Sequence, residues 1–435
     1  MKSGQRFDVF AAFLSSARFL TVLTTATIGA AALAFAIRQT IGWAGLFGIL
    51  GALTVLWAVI LVMRRGEIEW SGLLPISLII FVGWAGASIF WSRYQWATLG
   101  SLTYLLAFTV LGVAVALLRD TIQIVRAFGD VLRLVLVASL AIEIFAGLLI
   151  DTPIRFLQVQ GHLDQWGPIQ GVLGARNELG IVAIIALITF VTELRTRSVA
   201  RGLAVGSIAL AVGCLLLTQS PIALGASAVL GVATVALYGL RRLAPERRRI
   251  GQLVLLGTSV VALVLAWFFR EPIIGLLDGT KELGYRLNLW RRIMDIQPVH
   301  PLEGWGWIGS WRLDLVPYVG FRNLPGGAPT SAANAFFDTA LQLGLVGLVA
   351  FIVLISLAFV RSWFLAVARR SVVFTWPALV LLALITTALA ESSILVEFGL
   401  LTLVVCTVKA SRELSWRQAF AIPAVQPELP RIGDR

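Results

Sequence analysis

The chain has 435 residues, of which 58% are hydrophobic and 13% charged, with a net charge of +12 and two cysteines. That balance excludes an ordinary soluble domain, and the apolar residues fall in runs near the roughly 20 that cross a bilayer as a helix. It also excludes a membrane β-barrel, which needs alternating strands of about ten residues; the positive charge marks cytoplasmic loops and not a nucleic-acid surface.

Met1–Arg18 forms an amphipathic, basic lead-in and not a cleavable signal. The hydropathy pattern then predicts about twelve transmembrane helices, near 19–37, 41–63, 71–91, 97–118, 131–150, 173–193, 202–218, 220–239, 250–269, 333–360, 372–390 and 392–408. The fold class is an all-α polytopic membrane protein. Residues 1–269 carry helices 1–9, 270–332 a large extracytoplasmic loop, 333–410 helices 10–12, and 411–435 a disordered cytoplasmic tail with Pro423, Pro427 and Pro430. With the N-terminus inside, 24 of the 35 Lys and Arg fall on the cytoplasmic side and 11 outside, seven of them in the long loop. Short outer loops carry almost none, so the bias sets both termini inside. No internal repeat is visible. Cys214 and Cys406 lie inside apolar segments, which argues against a disulfide or a metal site.

Ionisable groups inside a bilayer are costly and each needs a reason. Glu143, Arg176, Glu178, Glu391 and Glu397 fall in spans or at their ends, all in the outer half, which favours a polar cavity open to the outside. Arg18, Asp130 and Arg133 sit at inner span ends, where snorkelling accounts for them. The segment Gly171–Gly180, GVLGARNELG, allows close packing and places Arg176 and Asn177 near the outer surface.

The loop is the long polar interruption late in the chain. Its Arg270, Lys281, Arg286, Arg291, Arg292, Arg312 and Arg322 alternate with Trp290, Trp305, Trp307 and Trp311, a surface suited to a phosphate beside a sugar. Pro329-Thr330-Ser331 predicts a helix start with Thr330 or Ser331 as N-cap, its free N–H groups facing outward. Asn334, Asp338 and Gln342 follow at i, i+4 and i+8, either as a helix–helix hydrogen-bond stripe or as a cavity wall. Gly344 and Gly347 predict close packing.

In this order, Arg286-x-x-x-Trp290, Pro301-Leu302-x-Gly304-x-Gly306 and Asn334-x-x-x-Asp338 before Gly344-x-x-Gly347 resemble the O-antigen ligases and Wzy-type polysaccharide polymerases. The segments GVLGARNELG and LLLTQSPIALG look most like exopolysaccharide polymerases within that superfamily. The resemblance implies a GT-C-like, metal-independent, inverting glycosyltransferase of the bacterial cytoplasmic membrane, without cofactor. Its partners would be a polyprenyl-diphosphate-linked glycan and an acceptor glycan or lipid-linked repeat unit, held among membrane lipid at the outer face. Arg286, with Arg176, Arg291 and Arg292, would hold the diphosphate; residue 333, Asn334 and Asp338 would form the catalytic set. The family usually has His-Asn where this chain has Ala333-Asn334, and alanine can accept no proton. Either this branch works without that histidine or the chain is an inactivated variant; the well-kept flanking motif favours the second, which would bind its donor and transfer it slowly. A flippase or exporter of lipid-linked oligosaccharides is the non-enzyme alternative.

Overall fold

The computed structural model describes residues 16–66, 75–269, 272, 280–324 and 327–413. In hydrocarbon every backbone polar group must be satisfied within the chain, and helix is the local solution. The described residues form thirteen α-helices. The first five are α1 (Ala17–Ala32), α2 (Ala34–Met63), α3 (Ile76–Ala87), α4 (Gln95–Leu118) and α5 (Thr121–Ile144). Four more follow: α6 (Arg176–Thr196), α7 (Arg201–Leu217), α8 (Pro221–Arg242) and α9 (Pro245–Phe268). Helix α10 (Thr280–Ile296) lies in the long loop, and α11 (Ala335–Ala368), α12 (Thr375–Ala388) and α13 (Glu397–Glu413) close the chain.

Every one of the twelve expected spans overlaps a helix. Six of these helices, α2, α4, α5, α6, α8 and α11, are long and apolar enough to cross a membrane, while α1, α3, α7 and α12 are apolar but shorter. Length alone thus supports six crossings where the sequence pattern predicts about twelve. Helix α13 continues to Glu413, into the stretch expected to be tail; residues 414–435, like 1–15, lie outside the described residues.

Helices α6, α12 and α13 are buried along most of their length and form the centre of the bundle. Large buried rings reach hydroxyl partners across it: Trp57 Nε1 donates to Thr27 Oγ1 at 2.8 Å, and Trp376 Nε1 to Thr189 Oγ1 at 2.9 Å. Such ties between apolar helices contribute about 0.6 kcal/mol each. Helix α9 turns Leu253, Val254, Leu256 and Val261 outward, as a lipid-facing helix does.

Two long helices are broken by glycine. In α2 the chain leaves helical geometry at Gly42 (φ 73°), and in α11 at Gly344 (φ 66°). The second break is filled by the loop. Leu345 N–H donates to Pro301 O at 2.9 Å and Val346 N–H to Leu302 O at 3.3 Å. In return Leu341 O accepts from Trp305 N–H at 3.1 Å and Gln342 O from Gly306 N–H at 2.8 Å, while Leu343 O accepts from Trp84 Nε1 at 2.9 Å. The Pro-Leu-x-Gly-x-Gly run is therefore a backbone plug. It supplies the partners the broken helix lacks, and a Cβ at Gly304 would strike Gln342 and Gly344. The spacing of Gly344 and Gly347 thus means more than close packing: Gly347 packs beside Trp84, but Gly344 is the break itself.

Candidate active site

The two arginines expected to hold phosphate come together, on different elements. Arg286 lies on α10, whose Leu289 and Ile293 are buried against the loop's own apolar cluster with Trp311, Tyr318 and Phe321. Arg176 opens α6. Both guanidinium groups meet one carboxylate, Glu282. Arg176 Nη2 pairs with Glu282 Oε1, and Arg286 Nη1 with its Oε2 at 3.1 Å. Arg286 Nη2 also donates to Glu391 Oε1 at 3.0 Å, which accepts Asn177 Nδ2 at 2.7 Å. Ser220, the N-cap of α8, donates to Asn177 Oδ1 at 2.7 Å. Arg286 is nearly buried and its Nε has no partner among the described residues.

Beside this chain of contacts lies a cavity of about 490 Å³. Arg38, Asn177, Glu178, Ser331, Glu391 and Glu397 are among its lining. Arg38 comes from the short segment of α2 before Gly42. It pairs with Glu397 at 2.5 Å and stacks over Trp43, 4.7 Å from the ring centroid. Tyr104 donates to the same Glu397 oxygen at 2.8 Å. Glu397 also closes one side of a second, aromatic cavity of about 360 Å³ lined by Trp43, Phe47, Tyr104 and Phe108. Sequence reasoning missed Arg38, because the position reads as a short loop; Glu397, an acidic residue in an apolar run, is the signal for a partner.

The stripe on α11 is a scaffold. The helix begins at Ala335, four residues after Ser331, since Ala333 is left-handed (φ 48°) and Asn334 is extended. Asn334 is the N-cap: its Oδ1 accepts from Phe336 N–H at 2.9 Å and Phe337 N–H at 3.1 Å, and its Nδ2 donates to Leu389 O at 2.8 Å. Asp338, fully buried, accepts Trp311 Nε1 at 2.7 Å, Gln342 Nε2 at 2.8 Å and Ala332 N–H at 3.3 Å. Gln342 Oε1 in turn accepts Ile308 and Gly309 N–H at 2.7 and 2.8 Å. Asp338 and Gln342 bind the loop to the helix, Asn334 ties the helix start to the end of α12, and Asp338 also lines the cavity. Ala333 packs against the loop's apolar cluster beside Trp290 and Phe337.

Arg291 and Arg292 do not join the site. On a helix they stand about 140° and 120° around from Arg286; both are exposed, and Arg292 donates to Gly320 O at 3.1 Å. The loop tryptophans are spent on packing. Trp307 is buried against Phe81, Trp311 bonds Asp338, and Trp290 stacks on Phe337 while donating to Ala332 O at 2.9 Å. His300 bonds Glu303 at 2.9 Å, which holds that exposed carboxyl below its usual range. Burial raises the Tyr285 phenol beside Arg286.

At the opposite end of the bundle, Arg133 does not snorkel. It pairs with Glu193, which is fully buried, and donates through Nε to Ser207 Oγ at 2.8 Å. Buried charge is thus not confined to the loop end. Glu143 accepts the N–H groups of Gln170 and Gly171 at 2.7 and 2.8 Å and fixes the turn before α6. Among the described residues no group of His, Cys, Asp and Glu is arranged to hold a metal ion.

No curated protein matches the chain. Residues 206–352 match the family model described as O-Antigen ligase. That stretch takes in Arg286, the loop plug, Ala333, the Asn334 cap and the break at Gly344; Arg176, Glu178 and Glu391 fall outside it. The apolar helices make the chain a multi-pass membrane protein, and residues 206–352 within it are similar to the O-antigen ligases.

Proposed function

We propose that this protein is a glycosyltransferase that moves a glycan from a polyprenyl-diphosphate carrier to an acceptor hydroxyl at the outer face of the bacterial cytoplasmic membrane. The observation that carries the reading is the meeting of Arg176 and Arg286 on one carboxylate at the edge of a polar cavity. Two forked cations around a single anion match a diphosphate, whose oxygens accept bidentate contacts. Glu282 stands where that anion would enter. The leaving group departs with negative charge, so cations fixed on it lower the barrier. The acceptor oxygen attacks the anomeric carbon from the opposite face, the bond to the diphosphate breaks, and the configuration inverts. The adjoining aromatic cavity would receive the isoprene units nearest the diphosphate. The GT-C-like fold, the twelve crossings and the outward-facing site belong to this reading.

The test uses the purified full chain with a panel of labelled polyprenyl-diphosphate oligosaccharides differing in the first sugar. Arg286→Ala is expected to abolish carrier binding and transfer, and Arg286→Lys to recover part, since the fork is lost. Glu282→Gln is expected to tighten carrier binding by removing the competing anion. Full binding and transfer by Arg286→Ala would put the clamp elsewhere. The buried Arg133–Glu193 pair favours the rival reading, an exporter of lipid-linked glycans, because it places charge at the far end of the bundle. Movement of the labelled carrier across proteoliposomes, with no new glycosidic bond, would decide for it.

A further inference from the structure

Three glutamates line the main cavity, and two of them are engaged. Glu391 accepts Arg286 and Asn177; Glu397 accepts Arg38 and Tyr104. Glu178, in the first turn of α6, has neither a hydrogen-bond nor an ion-pair partner among the described residues. Ionisable groups in a spanning segment are ordinarily paired, so a free one facing a cavity has its lone pairs open to a ligand. Asn177, next to it in the chain, lines the same cavity and bonds Glu391, which also accepts Arg286, so the carboxylate faces a cavity that reaches the arginine pair through Glu391.

On the transferase reading above, we infer that Glu178 is the proton acceptor for the incoming hydroxyl. The reaction then balances within the cavity. The acceptor O–H bond breaks and its proton passes to the Glu178 carboxylate. The acceptor oxygen bonds to the anomeric carbon, and the electron pair of the old C–O bond leaves with the diphosphate. This supplies the base that alanine at 333 does not, from a different helix. The charged and titratable groups lining the same cavity are Arg38 on α2, Asp338 on α11, and Glu391 and Glu397 around the start of α13. Asp338, Glu391 and Glu397 are already occupied by donors.

The test compares the unmodified chain with Glu178→Gln and Glu178→Asp. It measures binding of the labelled carrier panel and single-turnover transfer from about pH 3.5 to 8, a range that spans the ordinary glutamate titration at about 4.3. A positioned general base typically contributes on the order of 10² to 10⁴ in rate. Glu178→Gln is expected to bind the carrier as the parent does, to lose transfer by a factor in that range, and to lose the fall in rate that the parent shows on the acid side. Glu178→Asp, which keeps the carboxylate one methylene shorter, is expected to retain part of the rate and that fall. Equal transfer by Glu178→Gln and the parent overturns the inference and leaves the transferase reading standing. Loss of carrier binding in Glu178→Gln also overturns it, since the residue would then serve binding. A parent that neither binds nor transfers any member of the panel overturns the transferase reading and this inference with it.

Discussion

Glu282 neutralises two arginines at once. A nearly buried guanidinium left unpaired would cost several kcal/mol, so this carboxylate stabilises the arginine beside it. Position 333 carries a different constraint. Its backbone is left-handed, a region where Asn, Asp and His are enriched several-fold over other non-glycine residues. Histidine therefore suits that backbone, and Ala333→His is expected to fold. With Glu178 in the cavity, its gain in transfer should fall well short of the 10² to 10⁴ of a first base, and should fade as imidazole protonates below about pH 6.5. Parallel assays of both forms from pH 5 to 8 check this; a gain of the full factor would place the base at 333. Arg176 and Arg286 were legible in the sequence because charge in or beside apolar runs is conspicuous. The roles of Asn334 and Asp338 were not, because cavity wall and hydrogen-bond stripe share one spacing.

At the scale of elements, the break at Gly344 sets where α11 turns and where the loop attaches. Gly344 has φ 66° and its Cβ position falls on the Leu302 carbonyl, which is backbone and cannot move aside cheaply. Gly344→Ala should cost at least the roughly 1–2 kcal/mol of a left-handed alanine. Gly48→Ala, at a helical glycine with open space around it, should be neutral or mildly stabilising. Unfolding of the two variants in detergent, side by side, measures the difference; equal stability would mean the break is not required. Helix positions were readable from hydropathy because apolar runs dictate them. The break was not, because a glycine pair three apart reads the same whether it packs a helix or ends one. Likewise Thr330 and Ser331 look like caps, yet Asn334 takes the role once the chain has turned through Ala333.

For the whole molecule, orientation is the property on which the proposed transfer depends. Cys214 and Cys406 are buried, so added cysteines give a clean signal. An impermeant maleimide on intact cells should label Asn323→Cys, exposed in the loop, and spare Arg247→Cys at the start of α9 until the membrane is opened. Labelling of both from one side would overturn the orientation and the transferase reading with it. The sequence carried this expectation through the distribution of Lys and Arg, which membrane insertion itself reads. It could not show how the loop is joined to the bundle. Because backbone from residues 301–306 completes the hydrogen bonding of α11, the loop is not an interchangeable part. Chimaeras that trade this loop must carry the first turns of that helix along with it. An exchange cut at residue 332 would hand the recipient a helix with a hole in its hydrogen-bond ladder unless the donor's plug happened to fit.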